Sequence, residues 1–182
     1  MKRNLGIFGP AGGGKGIASH YIAKKQGYNI INMGNIVRAL ARKERLKPTR
    51  ENLEKLQAKY SKKYHHDFVI EHALEKALKS KKPIIIDGIR KPIQAKMIKE
   101  KLNAKLILVT ATPEIRFKRM EKRRRTGFAR TIKEFNKSEA NEDKVFNLKK
   151  TFSMADYKID NSNGVKYFMN ELNKVIKKVN QK

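Results

Sequence analysis

Near its amino end the chain reads Leu5-Gly6-Ile7-Phe8-Gly9-Pro10-Ala11-Gly12-Gly13-Gly14-Lys15. An unbroken apolar run gives way to a glycine-rich turn. Ile17, Ala18, Tyr21 and Ile22 then recur at helical spacing, with Gly27 as the stop. A G-x-x-x-x-G-K turn between a strand and a helix has the form of a phosphate-binding loop. Its glycines let backbone N–H groups converge on phosphate oxygens, an approach that side chains would block. The helix N-terminus adds the positive end of its dipole, and Lys15 is placed to reach the β- and γ-phosphates. The segment implies ATP as cofactor, held by Gly9, Pro10, Ala11, Gly12, Gly13, Gly14 and Lys15.

Beyond this turn, short apolar runs alternate with helical patterns. Residues 28–33, 83–87, 106–109 and 157–160 read as further strands. The Pro83-Ile84-Ile85-Ile86-Asp87 run is branched and apolar throughout, as in a parallel strand buried on both faces. Residues 50–79 read as one broken helix or two, with Asp67 a cap. Thr112-Pro113-Glu114 and Thr131-Ile132-Lys133-Glu134 read as helix starts. Val165, Phe168, Met169, Leu172, Val175, Ile176 and Val179 build an amphipathic carboxyl-terminal helix. The expectation is an α/β fold of three layers: a five-stranded parallel sheet with helices on both faces, in a single domain over 1–182.

The 182 residues suffice for one core. No apolar run approaches the ~20 residues needed to span a bilayer. Met1-Lys2-Arg3-Asn4 leads straight into the first strand without a signal-peptide cleavage region. With no cysteine, disulfides and thiolate metal sites are excluded. His65-His66 lacks acid or cysteine partners at metal spacing and reads as surface. A cytoplasmic location without a membrane partner is the default expectation. Lys+Arg 44 against Asp+Glu 17 gives +27. Such a chain attracts polyanions at long range. The lysines scatter from Lys24 to Lys182 rather than forming one block, which favours a compositional bias over a dedicated nucleic-acid surface. Nonspecific nucleic-acid contact remains open.

Four further segments carry chemistry. Ile84-Ile85-Ile86-Asp87-Gly88-Ile89-Arg90 sets an acid at the carboxyl end of a buried strand, where open α/β sheets bind ligands. Asp87 is the candidate for the water shell of Mg²⁺. Met33-Gly34-Asn35-Ile36-Val37-Arg38 aims Arg38 from the first turns of a helix. Arg116, Arg119 and Arg123 share one helix face, with Arg124, Arg125 and Thr126-Gly127 beyond. Ala155-Asp156-Tyr157-Lys158-Ile159-Asp160-Asn161 closes the last strand.

The phosphate loop resembles that of the adenylate kinases, G-x-P-G-x-G-K-G-T, which holds magnesium mainly through water. Gly16 fits that variant, and Ile17 stands where it has threonine. The Asp87 segment resembles the family's D-G-F-P-R…Q-A stretch at Asp87, Gly88, Arg90, Gln94 and Ala95, with one residue fewer between Gly88 and Arg90. The Gly34 segment resembles the nucleoside monophosphate kinase T-G-D-x-L-R, with Asn35 in place of the acid. The Asn161 segment is similar to one near the adenine in dephospho-CoA kinases. Together, over residues 4–178, the chain resembles a mainly archaeal family of adenylate-kinase-like and dephospho-CoA-kinase-like P-loop proteins.

The resemblance implies a nucleotide kinase with a short lid at 123–150 and an acceptor-binding segment at 34–79. Lys15, Asp87, Arg119 and Arg123 are its implied catalytic residues, and Gly16 and Ile17 join the ATP site. Gly34, Arg38, Arg90 and Gln94 are implied on the acceptor side. A phosphate acceptor needs arginines, whereas a hydroxyl acceptor benefits from a carboxylate base. Asn32-Met33-Gly34-Asn35 carries no acid, which favours a small phosphorylated nucleotide acceptor. Transfer to a ribose hydroxyl, and an ATPase tied to RNA or ribosome assembly, are the alternatives.

The scatter of lysines predicts weak nucleic-acid binding that is lost steeply with salt. A salt titration of RNA binding checks it. Tight binding at physiological salt, with RNA-stimulated ATP hydrolysis, would show that the charge serves a nucleic-acid partner.

Overall fold

Three apolar runs, β1 (Leu5–Phe8), β3 (Ile84–Ile89) and β4 (Lys105–Thr110), lie side by side at the centre of one sheet. β2 (Asn29–Asn32) and β5 (Tyr157–Asp160) form its edges, in the order β2-β3-β1-β4-β5. Every pairing is parallel. The computed structural model describes residues 2–64, 67–123 and 129–181, without the side chains of Arg50 and Tyr64. His65, His66, Arg124, Arg125, Thr126 and Gly127 lie outside the described residues.

Side chains alternate along each strand, so the sheet makes two cores. Phe8, Ile84, Ile86, Ile89, Leu106 and Leu108 face one way. They pack on α2 (Met33–Lys43), α4 (Phe68–Leu78), α5 (Pro92–Leu102) and α8 (Leu148–Ser153). Leu5, Ile7, Ile85, Ile107, Val109 and Ile159 face the other way. They pack on α1 (Lys15–Gln26) and α9 (Val165–Gln181). The remaining helices are α3 (Arg50–Tyr64), α6 (Pro113–Lys122) and α7 (Ile132–Phe146).

Helix starts follow the expected caps. Thr112, Asp67 and Thr131 accept hydrogen bonds from the N–H groups of Ile115, Ile70 and Glu134. Beyond shifts of one residue at strand ends, three places depart from the sequence reading. The second strand stops at Asn32, because the Asn32 side chain accepts the Asn35 N–H at 3.0 Å and so caps α2 at Met33. The third strand runs on to Ile89 through a bulge. Ile7 pairs with Asp87 and Phe8 with Ile89, leaving Gly88 as the extra residue, with φ 93°. A bulge re-aims the neighbouring side chain, and only glycine takes this φ at little cost. The polar stretch at 123–150 contains the 15-residue α7 and the first half of α8. The aromatic residues Phe135 and Phe146 bury α7 against the body. Their spacing of eleven is three turns, too sparse for a stripe to be read locally.

Strand order does the positioning. β1 is central and feeds the glycine turn. β3 beside it delivers Asp87, β2 delivers Asn32, β4 leads to the arginines of α6, and β5 leads to Asn161. All five ends open on one edge of the sheet, where parallel α/β domains form their crevice. Ile86 is fully buried, so Ile86→Ala should lower unfolding free energy by about 2–5 kcal/mol. Ile132, 38% exposed, should cost no more than about 0.5 kcal/mol as alanine. Urea denaturation of the two variants measures the contrast.

Candidate active site

The turn from Gly9 to Lys15 curls over the end of β1. The Pro10 carbonyl accepts the Gly13 N–H at 3.2 Å and the Lys15 Nζ at 3.4 Å. Gly14 is the N-cap of α1, so the first N–H groups of that helix face the crevice without partners from their own helix. A side chain at position 16 would meet nothing within 4 Å, and Ile17 is 47% exposed. Both therefore stand on the open side of the loop.

Lys15 and Asp87 share this corner. Burial pulls the Lys15 ammonium below its ordinary pKa; Asp87 opposes the fall, Arg90 adds to it, Glu142 opposes it and Arg123 adds to it. Burial likewise drives the Asp87 carboxyl up, against the pull of Lys15, the Asn32 amide, His20 and Arg38. Asp87 is 3% exposed. Its Oδ2 accepts from Asn32 Nδ2 at 2.8 Å, while its buried Oδ1 accepts no hydrogen bond among the described residues. Among the described residues no group of three or more His, Cys, Asp or Glu could hold a metal ion directly. An orphaned carboxylate oxygen beside a phosphate loop fits Mg²⁺ held through water and the nucleotide's own oxygens.

Arg38, expected on the acceptor side, reaches back from α2. Its Nη2 donates to Asn35 Oδ1 and, at 3.4 Å, to Asn32 Oδ1. A Cβ on Gly34 would stand 3.2 Å from Arg38 Nη1, so the glycine leaves room for the guanidinium. Asn32 thus links Arg38 to Asp87. Arg90 is held from α7: its Nη2 lies 3.1 Å from Glu142 Oε1, and its guanidinium stacks 5.0 Å over the Phe146 ring. The Arg90 side chain keeps 43% exposure while Glu142 keeps 10%.

Gln94, also expected on the acceptor side, is held within the fold. It is 2% exposed, its Oε1 accepts the Arg90 and Lys91 N–H groups, and its Nε2 donates to Asp67. Both ends of its amide are spent on the start of α5 and on α4. The arginines of α6 also divide. Arg116 is buried, pairs with both carboxylate oxygens of Glu139, and donates to the Ala11 carbonyl at 3.3 Å. Arg119 donates to the Gly12 carbonyl at 3.3 Å and the Asn161 carbonyl at 2.7 Å, so it grips the loop from behind. Arg123 is exposed and acts on Lys15 through its charge.

Sequence reasoning missed Asn32, Glu139 and Glu142. Asn32 was visible only as a missing acid, and the two glutamates sit in a stretch with weak apolar patterning. The motif at 155–161 turns out largely structural at its start: Asp156 accepts the Leu106 N–H at 2.7 Å and Lys99 at 3.0 Å.

This fold is shared with kinases. A shikimate kinase from Bacteroides thetaiotaomicron superposes with TM-score 0.67 at 11% identity, covering 98% of each chain. A gluconokinase from Sinorhizobium meliloti does so with TM-score 0.60 at 14% identity, covering 98% of this chain and 93% of that one. Fold and loop together define a P-loop kinase-like α/β protein. Residues 8–136 match the AAA domain family, and the chain belongs to it. It is also similar to the UPF0200 proteins of archaea. Identity is 27% over 176 residues with that of Staphylothermus marinus, covering 97% of this chain and 92% of the relative. It is 28% over 174 residues with that of Hyperthermus butylicus, covering 95% and 92%. No helix among the described residues is long and apolar enough to cross a membrane.

Lys15 is the largest single pull holding the Asp87 carboxyl down. Removing its charge as Lys15→Met should therefore move the Asp87 titration to higher pH. Carbon-13 NMR of the labelled carboxyl reads the midpoint; an unmoved or lower midpoint would contradict the electrostatic account.

Proposed function

We propose that this chain is an ATP-dependent phosphotransferase that moves the γ-phosphate of ATP to a small nucleotide-like acceptor, a nucleoside monophosphate. The observation that carries the reading is the meeting of four charges at one corner. Lys15 and Asp87 act on each other through charge, Arg90 acts on Lys15, and Arg38 reaches Asp87 through the Asn32 amide. In this reading the loop binds the polyphosphate, and Lys15 follows the γ-phosphoryl group as it leaves. An oxygen of the acceptor phosphate attacks the γ-phosphorus, the bond to the β–γ bridging oxygen breaks, and ADP departs. An anionic acceptor needs no base, only neutralisation, which Arg38 and Arg90 supply as charge-assisted hydrogen bonds. Arg123 is the candidate donor to the phosphoryl group in flight. Asp87 would hold Mg²⁺ through water, and the ion would neutralise charge on the phosphates.

One observation favours a second reading. Asp87 Oδ1 is buried and accepts no hydrogen bond among the described residues. A raised, orphaned carboxylate suits a base that takes a proton from an acceptor hydroxyl. Neighbours of the same fold are named shikimate kinase and gluconokinase.

A panel of nucleoside monophosphates, dephospho-CoA and small hydroxy acids, each with ATP and Mg²⁺, tests the choice by ADP release. A monophosphate should support turnover, and Lys15→Ala should abolish most of it in a folded protein. Arg38→Ala and Arg90→Ala should raise acceptor KM or lower kcat with little change in ATP affinity. Their effects should be non-additive, because both hold one group. ADP release with hydroxyl acceptors alone would transfer the assignment to the second reading.

A further inference from the structure

Asn161 ends the one sequence motif that the transfer chemistry does not use. It lies just past β5 and is 3% exposed. Its backbone N–H donates to the Thr110 carbonyl at 2.7 Å, and its backbone carbonyl accepts Arg119 Nη2 at 2.7 Å. Anchored at both ends, its side chain crosses to the phosphate loop and donates from Nδ2 to the Gly13 carbonyl at 3.0 Å.

A peptide bond is planar and trans, so the carbonyl of one residue and the N–H of the next point in opposite directions. A Gly13 carbonyl turned out towards Asn161 therefore turns the Gly14 N–H inward, where a phosphate would lie. The glycines flanking this peptide impose little conformational preference of their own. Gly14 has φ 107°, and a Cβ there would come within 2.2 Å of Asn161 Nδ2. The contact is close, and the orientation is imposed from outside the loop. The same logic extends along the chain. Arg116 holds the Ala11 carbonyl and Arg119 the Gly12 carbonyl, each at 3.3 Å. Three successive carbonyls are pinned by three side chains from beyond β4 and β5.

We propose that Asn161 is a positioning residue for the polyphosphate of ATP: it locks the Gly13–Gly14 peptide so that the Gly14 N–H faces the bound phosphates. This rests on Gly9–Lys15 being the ATP loop, and it is independent of the acceptor.

The test is calorimetric binding of ATP and of inorganic tripolyphosphate to wild type, Asn161→Ser and Asn161→Asp, with no acceptor present. Asn161→Ser should weaken both ligands on the order of tenfold, the scale of one lost buried hydrogen bond. Asn161→Asp should weaken them further, because its carboxylate cannot donate and repels phosphate. A role confined to fold stability would lower the melting temperature and leave tripolyphosphate affinity unchanged well below it. Wild-type affinity in either folded variant overturns the proposal. Should neither variant fold, the wild-type Gly14 amide resonance decides: it should move on adding tripolyphosphate, and an unmoved resonance overturns the proposal. Wild type that binds neither ligand would instead overturn the reading of the loop itself.

Discussion

A loop that grips phosphate with main-chain N–H groups needs glycine, and a run of glycine has no shape of its own. The rest of the site follows from how this chain supplies that shape. β1 sits in the middle of the sheet, so its loop has β3 on one side and β4 on the other. The β4 side and the segment after β5 give Arg116, Arg119 and Asn161, which hold carbonyls away from the crevice. The β3 side gives Asp87. The loop thus has a rear wall that fixes its geometry and a front corner that carries charge.

That front corner is costly. Lys15 and Asp87 both lose hydration, and in each case burial outweighs the attraction between them. A buried carboxylate and a partly buried ammonium seldom repay their desolvation in full. The arrangement makes sense for the proposed ligand, ATP with its metal, whose phosphates would meet Lys15 and whose metal shell would meet the orphaned Asp87 Oδ1. Asn32 keeps the cost from rising. An amide there donates to Asp87, where a second carboxylate would repel it.

Acids are scarce against this chain's 44 basic residues, and several are spent near the site. Glu139 and Glu142, three residues apart and hence on one side of α7, take Arg116 and Arg90 respectively. One of these arginines touches the phosphate loop, and the other belongs to the proposed acceptor side. α7 is therefore a strut between the two halves of the crevice. Asp67 is placed with similar economy: it caps α4 and meets Gln94 and Lys91 at the start of α5. The wider excess of lysine lies on solvated faces.

The sequence by itself determined whatever depends on near neighbours along the chain. Five short segments, three of them apolar runs, became five parallel strands, the Gly9–Lys15 turn led into α1, and Thr112, Asp67 and Thr131 became caps. Those signals act over a few residues, through side-chain alternation, helical periodicity and local hydrogen bonds. Tertiary structure alone decided what the polar side chains do. Arg119 and Gln94 carried family-like expectations; Arg119 bonds the Gly12 and Asn161 carbonyls, and Gln94 accepts N–H groups at the start of α5. Asn161 met Gly13 across 148 residues of chain, and Arg90, just past β3, met Glu142 of α7. A guanidinium or an amide has several donors and no periodic signature. Its partner is chosen by strand order and helix packing, which bring distant residues within hydrogen-bond reach.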